Sequence, residues 1–145
     1  MKLSSKIKFF FGIFEIIEYE RKILFALRQK LPEDLKLVLD SQVSKFNVVR
    51  RLFKHIDVKG SHGYTNFYTM RLGKNTSLSA QDKKFPNTQP EYLLCSMNIK
   101  DANNLIKVNI WTVEGVLFAF DYHSSDHIYF PKSDNYTIRD IELNL

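Results

Sequence analysis

One cysteine, five glycines, four prolines and one tryptophan in 145 residues exclude several classes of protein. The lone thiol, Cys95, has no intramolecular disulfide partner, so the chain is no disulfide scaffold and suits a reducing compartment. Glycine and proline are too sparse for a collagen-like or linker-type sequence. No stretch approaches the roughly 18 apolar residues that a membrane span requires. The opening residues 1–14 have the charged and apolar parts of a signal peptide, but Glu15, Glu18 and Glu20 interrupt the apolar run. No Ala-x-Ala cleavage pattern follows, so the segment is read as part of the fold. Without an export signal, the glycosylation-type triplets at Asn75 and Asn135 are read as chance matches.

What is present is core-building material. The composition is 44% hydrophobic and 14% aromatic, with 12 Phe and 7 Tyr, which is too apolar for a disordered chain. The length suits one domain, residues 1–145, that buries a core without metal or disulfide.

Phe10, Ile13, Phe14, Ile17, Leu24, Leu27 and Leu31 recur at helical spacing, which predicts a helix over residues 10–31 with one core-facing side. Arg21 and Arg28 fall near the same arc, as stems that snorkel past the core edge. Pro32 stops this pattern and, with Glu33 and Asp34, opens a second helix through Leu35, Leu39, Val43 and Phe46. That helix is expected to end between Asn47 and Phe53, with the basic run Arg50, Arg51 and Lys54 at its C-terminal end.

Beyond Gly63 the period changes to two. Strands are expected from Tyr64 to Leu72, Glu91 to Lys100, Leu105 to Val113 and Val116 to Tyr122, the last two joined by a tight turn at Glu114-Gly115. Residues 73–90 read as a long polar loop, and 136–145 as an edge strand or a tail against the helices. The expected fold is α+β, an N-terminal helical hairpin packed on one face of a four- to five-stranded antiparallel sheet. Residues 1–58 are mainly helical in this reading and 63–145 mainly strands. If Ile106, Val108 and Ile110 face the helices, then Lys107, Asn109 and Trp111 lie on the open face.

Candidates for chemistry are few. Asp121, His123, Ser124, Ser125, Asp126 and His127 form a polar cluster, but two histidines four apart share a metal only on a helix, and this segment continues a strand. Gly73-Lys74 lacks the second glycine of a phosphate loop. His55 and His62 stand alone and are read as structural or surface residues. The expectation is therefore no catalytic residue, no metal and no cofactor.

Charge is unevenly placed. The chain carries +5 overall, yet residues 114–145 hold six acids (Glu114, Asp121, Asp126, Asp134, Asp140, Glu142) against Lys132 and Arg139, a local −4. Tyr122, Tyr129, Phe130 and Tyr136 interleave with these acids. Aromatic anchors amid one sign of charge are what an interface for a basic partner uses. The expected partner-binding residues are Asp121, Tyr122, Asp126, Tyr129 and Asp134. A solvated, acidic sheet edge is the alternative explanation of the same pattern.

Residues 11–21 (Phe11 through Arg21), Leu31-Pro32, residues 42–50 (Gln42 through Arg50) and residues 113–118 (Val113 through Phe118) together resemble the small immunity proteins of bacterial contact-dependent growth inhibition and related polymorphic toxin systems. The resemblance implies a non-enzymatic cytoplasmic antitoxin that binds one cognate toxin domain, often a nuclease, and uses no cofactor. The alternative is a cytosolic adaptor or a nucleic-acid-binding module using the basic N-terminal part, although the sequence carries no nucleic-acid motif.

Overall fold

A computed structural model of the chain describes residues 16–56, 60–71, 74–75, 83–100, 104–125 and 136–145. Two helices come first, α1 over Glu18–Lys30 and α2 over Glu33–Lys45. Residues 10–15 of the expected first helix lie outside the described residues. At the start of α1, the Glu20 carboxylate accepts the Ile17 backbone N–H at 3.2 Å, and Glu18 adds a second acid in the first turn. The helix stops before Pro32, whose ring disfavours helical backbone at Leu31. The Pro32 carbonyl then accepts the amides of Leu35 and Lys36, each at 3.0 Å, and opens α2. Across the hairpin, Arg28 clamps Asp40 in a fork, with Nε to Oδ1 and Nη2 to Oδ2 both at 3.0 Å. Arg28 is thus an exposed inter-helix tie.

The strands are β1 (Val48–Ile56), β2 (Gly60–Tyr68), β3 (Met70–Arg71), β4 (Lys74–Asn75), β5 (Tyr92–Lys100), β6 (Leu105–Val113), β7 (Val116–Ser124) and β8 (Thr137–Leu143). Six of them form one antiparallel sheet in the order β1-β2-β7-β6-β5-β8, and β3 pairs with β4 separately. The α+β class and the helices on one face agree with the sequence reading. The sheet has one strand more than expected, because residues 48–56 form β1 and do not end α2. The region 1–58 is therefore not mainly helical to its end. Each β1 residue pairs with one on β2, from Val48 opposite Tyr68 to Ile56 opposite Gly60. Val49, Arg51 and Phe53 share the helix-facing side of Phe67, Thr65 and Gly63. Residues 136–145 resolve into the opposite edge strand, β8.

The core lies between helices and sheet. Ile23 and Leu27 of α1 and Leu39 of α2 meet Met97, Ile99, Ile106, Val108, Ile110 and Phe120, all nearly inaccessible. Burying each such side chain contributes on the order of 2 kcal/mol before conformational entropy is counted. Gln42 is a polar member of this layer. Its Nε2 donates to the carbonyls of Lys83 and Gly115, both at 3.0 Å, and its Oε1 accepts the Leu117 amide at 2.8 Å. The described part of the long loop is pinned by this network, by buried Phe85 and by the Phe85 amide donating to the Gly115 carbonyl at 2.8 Å. Glu114 and Gly115, with φ of 51° and 80°, make the tight β6–β7 turn that the sequence predicts. Among the described residues no helix is long and apolar enough to cross a membrane.

Candidate functional site

Strand alternation sends every second residue of the six-stranded sheet away from the helices. Among the described residues nothing stacks on that second face as α1 and α2 do on the first. Its side chains line up in rows at right angles to the strands. In one row, Asn66, Ala119, Trp111 and Leu93 follow one another across β2, β7, β6 and β5. The next holds Tyr64, Asp121, Asn109, Ser96 and, on β8, Glu142. A third holds His62, His123, Lys107, Asn98 and Arg139.

A groove of about 460 Å³ runs over the first two rows, lined by Tyr64, Asn66, Pro90, Glu91, Trp111, Val113, Phe118, Ala119 and Asp121. Ala119 explains its floor, since this small side chain stands directly between Asn66 and Trp111 in the register. The register slips between Trp111 and Thr112, so that β7 carries one extra residue, Phe118, against β6. Phe118 meets Tyr68 edge to face at 5.7 Å, and the Arg50 guanidinium lies 5.7 Å from the Tyr68 ring centre. The groove therefore has aromatic walls and a polar margin.

Around the third row lies a wider opening of about 750 Å³, bordered by Gly60, Ser61, His62, Leu105, Lys107, His123, Ser124 and Ser125. His123 Nε2 sits 2.8 Å from Asp121 Oδ2. Although His62, His123 and Asp121 share this face, among the described residues no three such side chains are placed to hold a metal ion. Ser124 is turned inward, its hydroxyl donating to the Leu105 carbonyl at 3.0 Å. The buried Cys95 thiol is pushed up to about 11, first by burial and then by the charge of Glu142, and stays protonated at neutral pH.

The expected interface residues separate in the structure. Asp121 is half-buried on the open face, where its carboxylate engages His123. Tyr122 is fully buried and is corrected to a core residue, because neighbouring strand residues point to opposite faces and Asp121 already points outward. Its hydroxyl bonds with Thr65 Oγ1 at 2.9 Å, its ring stacks on Phe53 at 5.5 Å, and Tyr19 meets it edge-on at 6.1 Å. Burial raises its phenol well above the ordinary range. Asp126, Tyr129 and Asp134, like His127, lie outside the described residues.

Lys107, Asn109 and Trp111 occupy the open face as the alternation of β6 predicts. His62 and Tyr64 of β2 belong to the same face. Their parity on β2 was readable, but their registration against His123 and Asp121 required the strand order. No protein-family model, curated protein or solved structure matches the chain.

Proposed function

We propose that the chain is a non-enzymatic binding protein of the immunity type, which holds a toxin domain against the open face of its sheet and works in the cytoplasm. The observation that carries this reading is the aromatic groove at Trp111, on a face that no described helix covers. Tyr64, Trp111 and Phe118 are each only partly buried. Large rings that are half-covered in the free protein can complete their burial against a partner, and such anchors dominate binding energy at protein interfaces. The toxin component comes from the resemblance in the sequence, and the groove supplies a surface for it.

Inhibition would then be steric, the face occluding the toxin's active site without covalent chemistry. The test is co-expression with the toxin domain encoded by the neighbouring reading frame, read as growth protection and as co-purification. Wild type should protect, and Trp111→Ala and Tyr64→Ala should protect poorly while keeping the wild-type circular dichroism spectrum. Failure of the wild type to bind or protect against that domain would refute the immunity reading.

A further inference from the structure

The third row of the open face has a charge character of its own. His62 on β2 is directly opposite His123 on β7, His123 is opposite Lys107 on β6, and beyond Asn98 on β5 comes Arg139 on β8. Neighbouring strands lie about 4.8 Å apart, well inside the roughly 8 Å over which physiological salt screens charge. Side chains on adjacent strands therefore act together on anything lying across them. Lys107 and Arg139 are exposed and make no ion pair with another described residue, and Asp140, next to Arg139, accepts from Asn98 Nδ2 at 3.0 Å. The histidines add ring nitrogens between the two ends of the sheet, and His123 already holds one carboxylate, that of Asp121.

We infer that the row His62, His123, Lys107 and Arg139 is a carboxylate-binding stripe for an extended acidic segment of a protein partner laid across the strands. The inference rests on the open face being a protein-binding surface, and it adds the partner's chemistry. A single-stranded nucleic acid is the competing polyanion, and the adjoining row disfavours it. In that row, roughly 7 Å along the strands, stand Asp121, two residues from His123, and Glu142, three residues from Arg139 across the β8 irregularity, and both would repel a phosphate backbone. The aromatic rings that could stack bases, Tyr64 and Trp111, lie in or beyond that acidic row. A polypeptide can alternate acidic and neutral or basic side chains to match both rows, whereas a phosphate chain cannot.

The test uses the whole chain and two labelled probes of equal length, a peptide of alternating glutamate and serine and an oligothymidylate, followed by fluorescence anisotropy at low and physiological salt. The alternating peptide should bind the wild type more tightly than oligothymidylate and weaken with salt. Lys107→Glu and Arg139→Glu should each weaken it on the order of tenfold, the scale on which steering charges act. The same reversal at Lys84, beside the β6–β7 turn, should change it less than about twofold, being screened by distance. Circular dichroism checks that each variant folds. Equal binding of the alternating peptide by wild type and both row variants, or tighter binding of oligothymidylate, would overturn the assignment. The stripe is read by peptide binding in the two row variants and the aromatic groove by growth protection in the Trp111→Ala protein, so a failed stripe and a failed groove give different results.

Discussion

Glu20 on α1 and Arg51 on β1 form the ion pair that joins the helical layer to the edge of the sheet, with Arg51 Nε donating to Glu20 Oε2 at 2.7 Å. The Glu20 side chain is 0% exposed and that of Arg51 27%, so the carboxylate depends on this cation and on the Ile17 amide for its solvation.

Removing Arg51 should therefore cost far more than the loss of an exposed pair. Arg51→Met leaves a buried carboxylate without its cation and should lower unfolding free energy by about 3 kcal/mol. The double replacement Glu20→Met with Arg51→Met should recover most of that loss, because a buried pair is often worth little against apolar side chains of similar size. Urea unfolding of the three proteins measures both effects. A loss below about 1 kcal/mol in the single variant would class the pair with exposed ones.

Gln42 should behave as a keystone for the segment beside the β6–β7 turn. Gln42→Leu keeps the volume but abandons the carbonyls of Lys83 and Gly115 and the amide of Leu117. The expected loss is roughly 2–4 kcal/mol, from buried backbone groups left without partners. Hydrogen exchange at Leu117 should accelerate with it. Unchanged protection at that amide would show that the contact contributes little.

These two contacts mark where the sequence was legible and where it was not. The alternation of Ile106, Val108 and Ile110 located β6 and its open-face residues directly, because period two is a local property. The identity of residues 48–56 was not local. Val48 and Leu52 are four apart, as on a helix, and Arg50, Arg51 and Lys54 look like the cations that end one. What holds Arg51 in a strand is Glu20, 31 residues away, together with pairing to β2. Tyr122 was misplaced for a different reason. The pattern of acids and rings puts Asp121 and Tyr122 on one surface, whereas consecutive residues of a regular strand point to opposite faces. The row of His62, His123 and Lys107 could not be read at all without knowing that β7 lies between β2 and β6.

Alkaline pH should destabilise the protein through its buried phenol and thiol. Tyr19 is pushed up to about 12, chiefly by burial and then by the charge of Glu20, and Cys95 to about 11, chiefly by burial. Both groups are neutral when protonated, so the folded state binds protons that the unfolded chain releases. Their stabilising contribution is complete below their ordinary values of 9.0 for the thiol and 10.0 for the phenol, and it is lost as pH rises through about 11 and about 12. Urea midpoints should fall across that window. Tyrosinate absorbance from the buried rings should appear together with unfolding, and its appearance at pH 10 in a still-folded protein would contradict the burial argument.

The last prediction sets the two candidate interfaces against each other. If the groove is the anchor, Trp111→Ala should raise the dissociation constant for the toxin domain by about 30-fold, the effect of a 2 kcal/mol hot spot, and mainly through faster dissociation. If the acidic C-terminal third steers the encounter, Asp126→Lys should slow association, with a salt dependence that Trp111→Ala lacks. Tyr129→Ala completes the set, and Lys36→Glu on α2, on the other side of the sheet from the groove, serves as the charge-reversal control. Each variant is first checked by circular dichroism. The groove predicts a large effect at Trp111 whatever happens at Asp126 and Tyr129. A Trp111→Ala protein that binds like wild type, beside an Asp126→Lys or Tyr129→Ala protein that does not, would move the interface from the groove to the acidic segment. Surface plasmon resonance at two salt concentrations separates the rates, because steering acts on association and ring burial on dissociation.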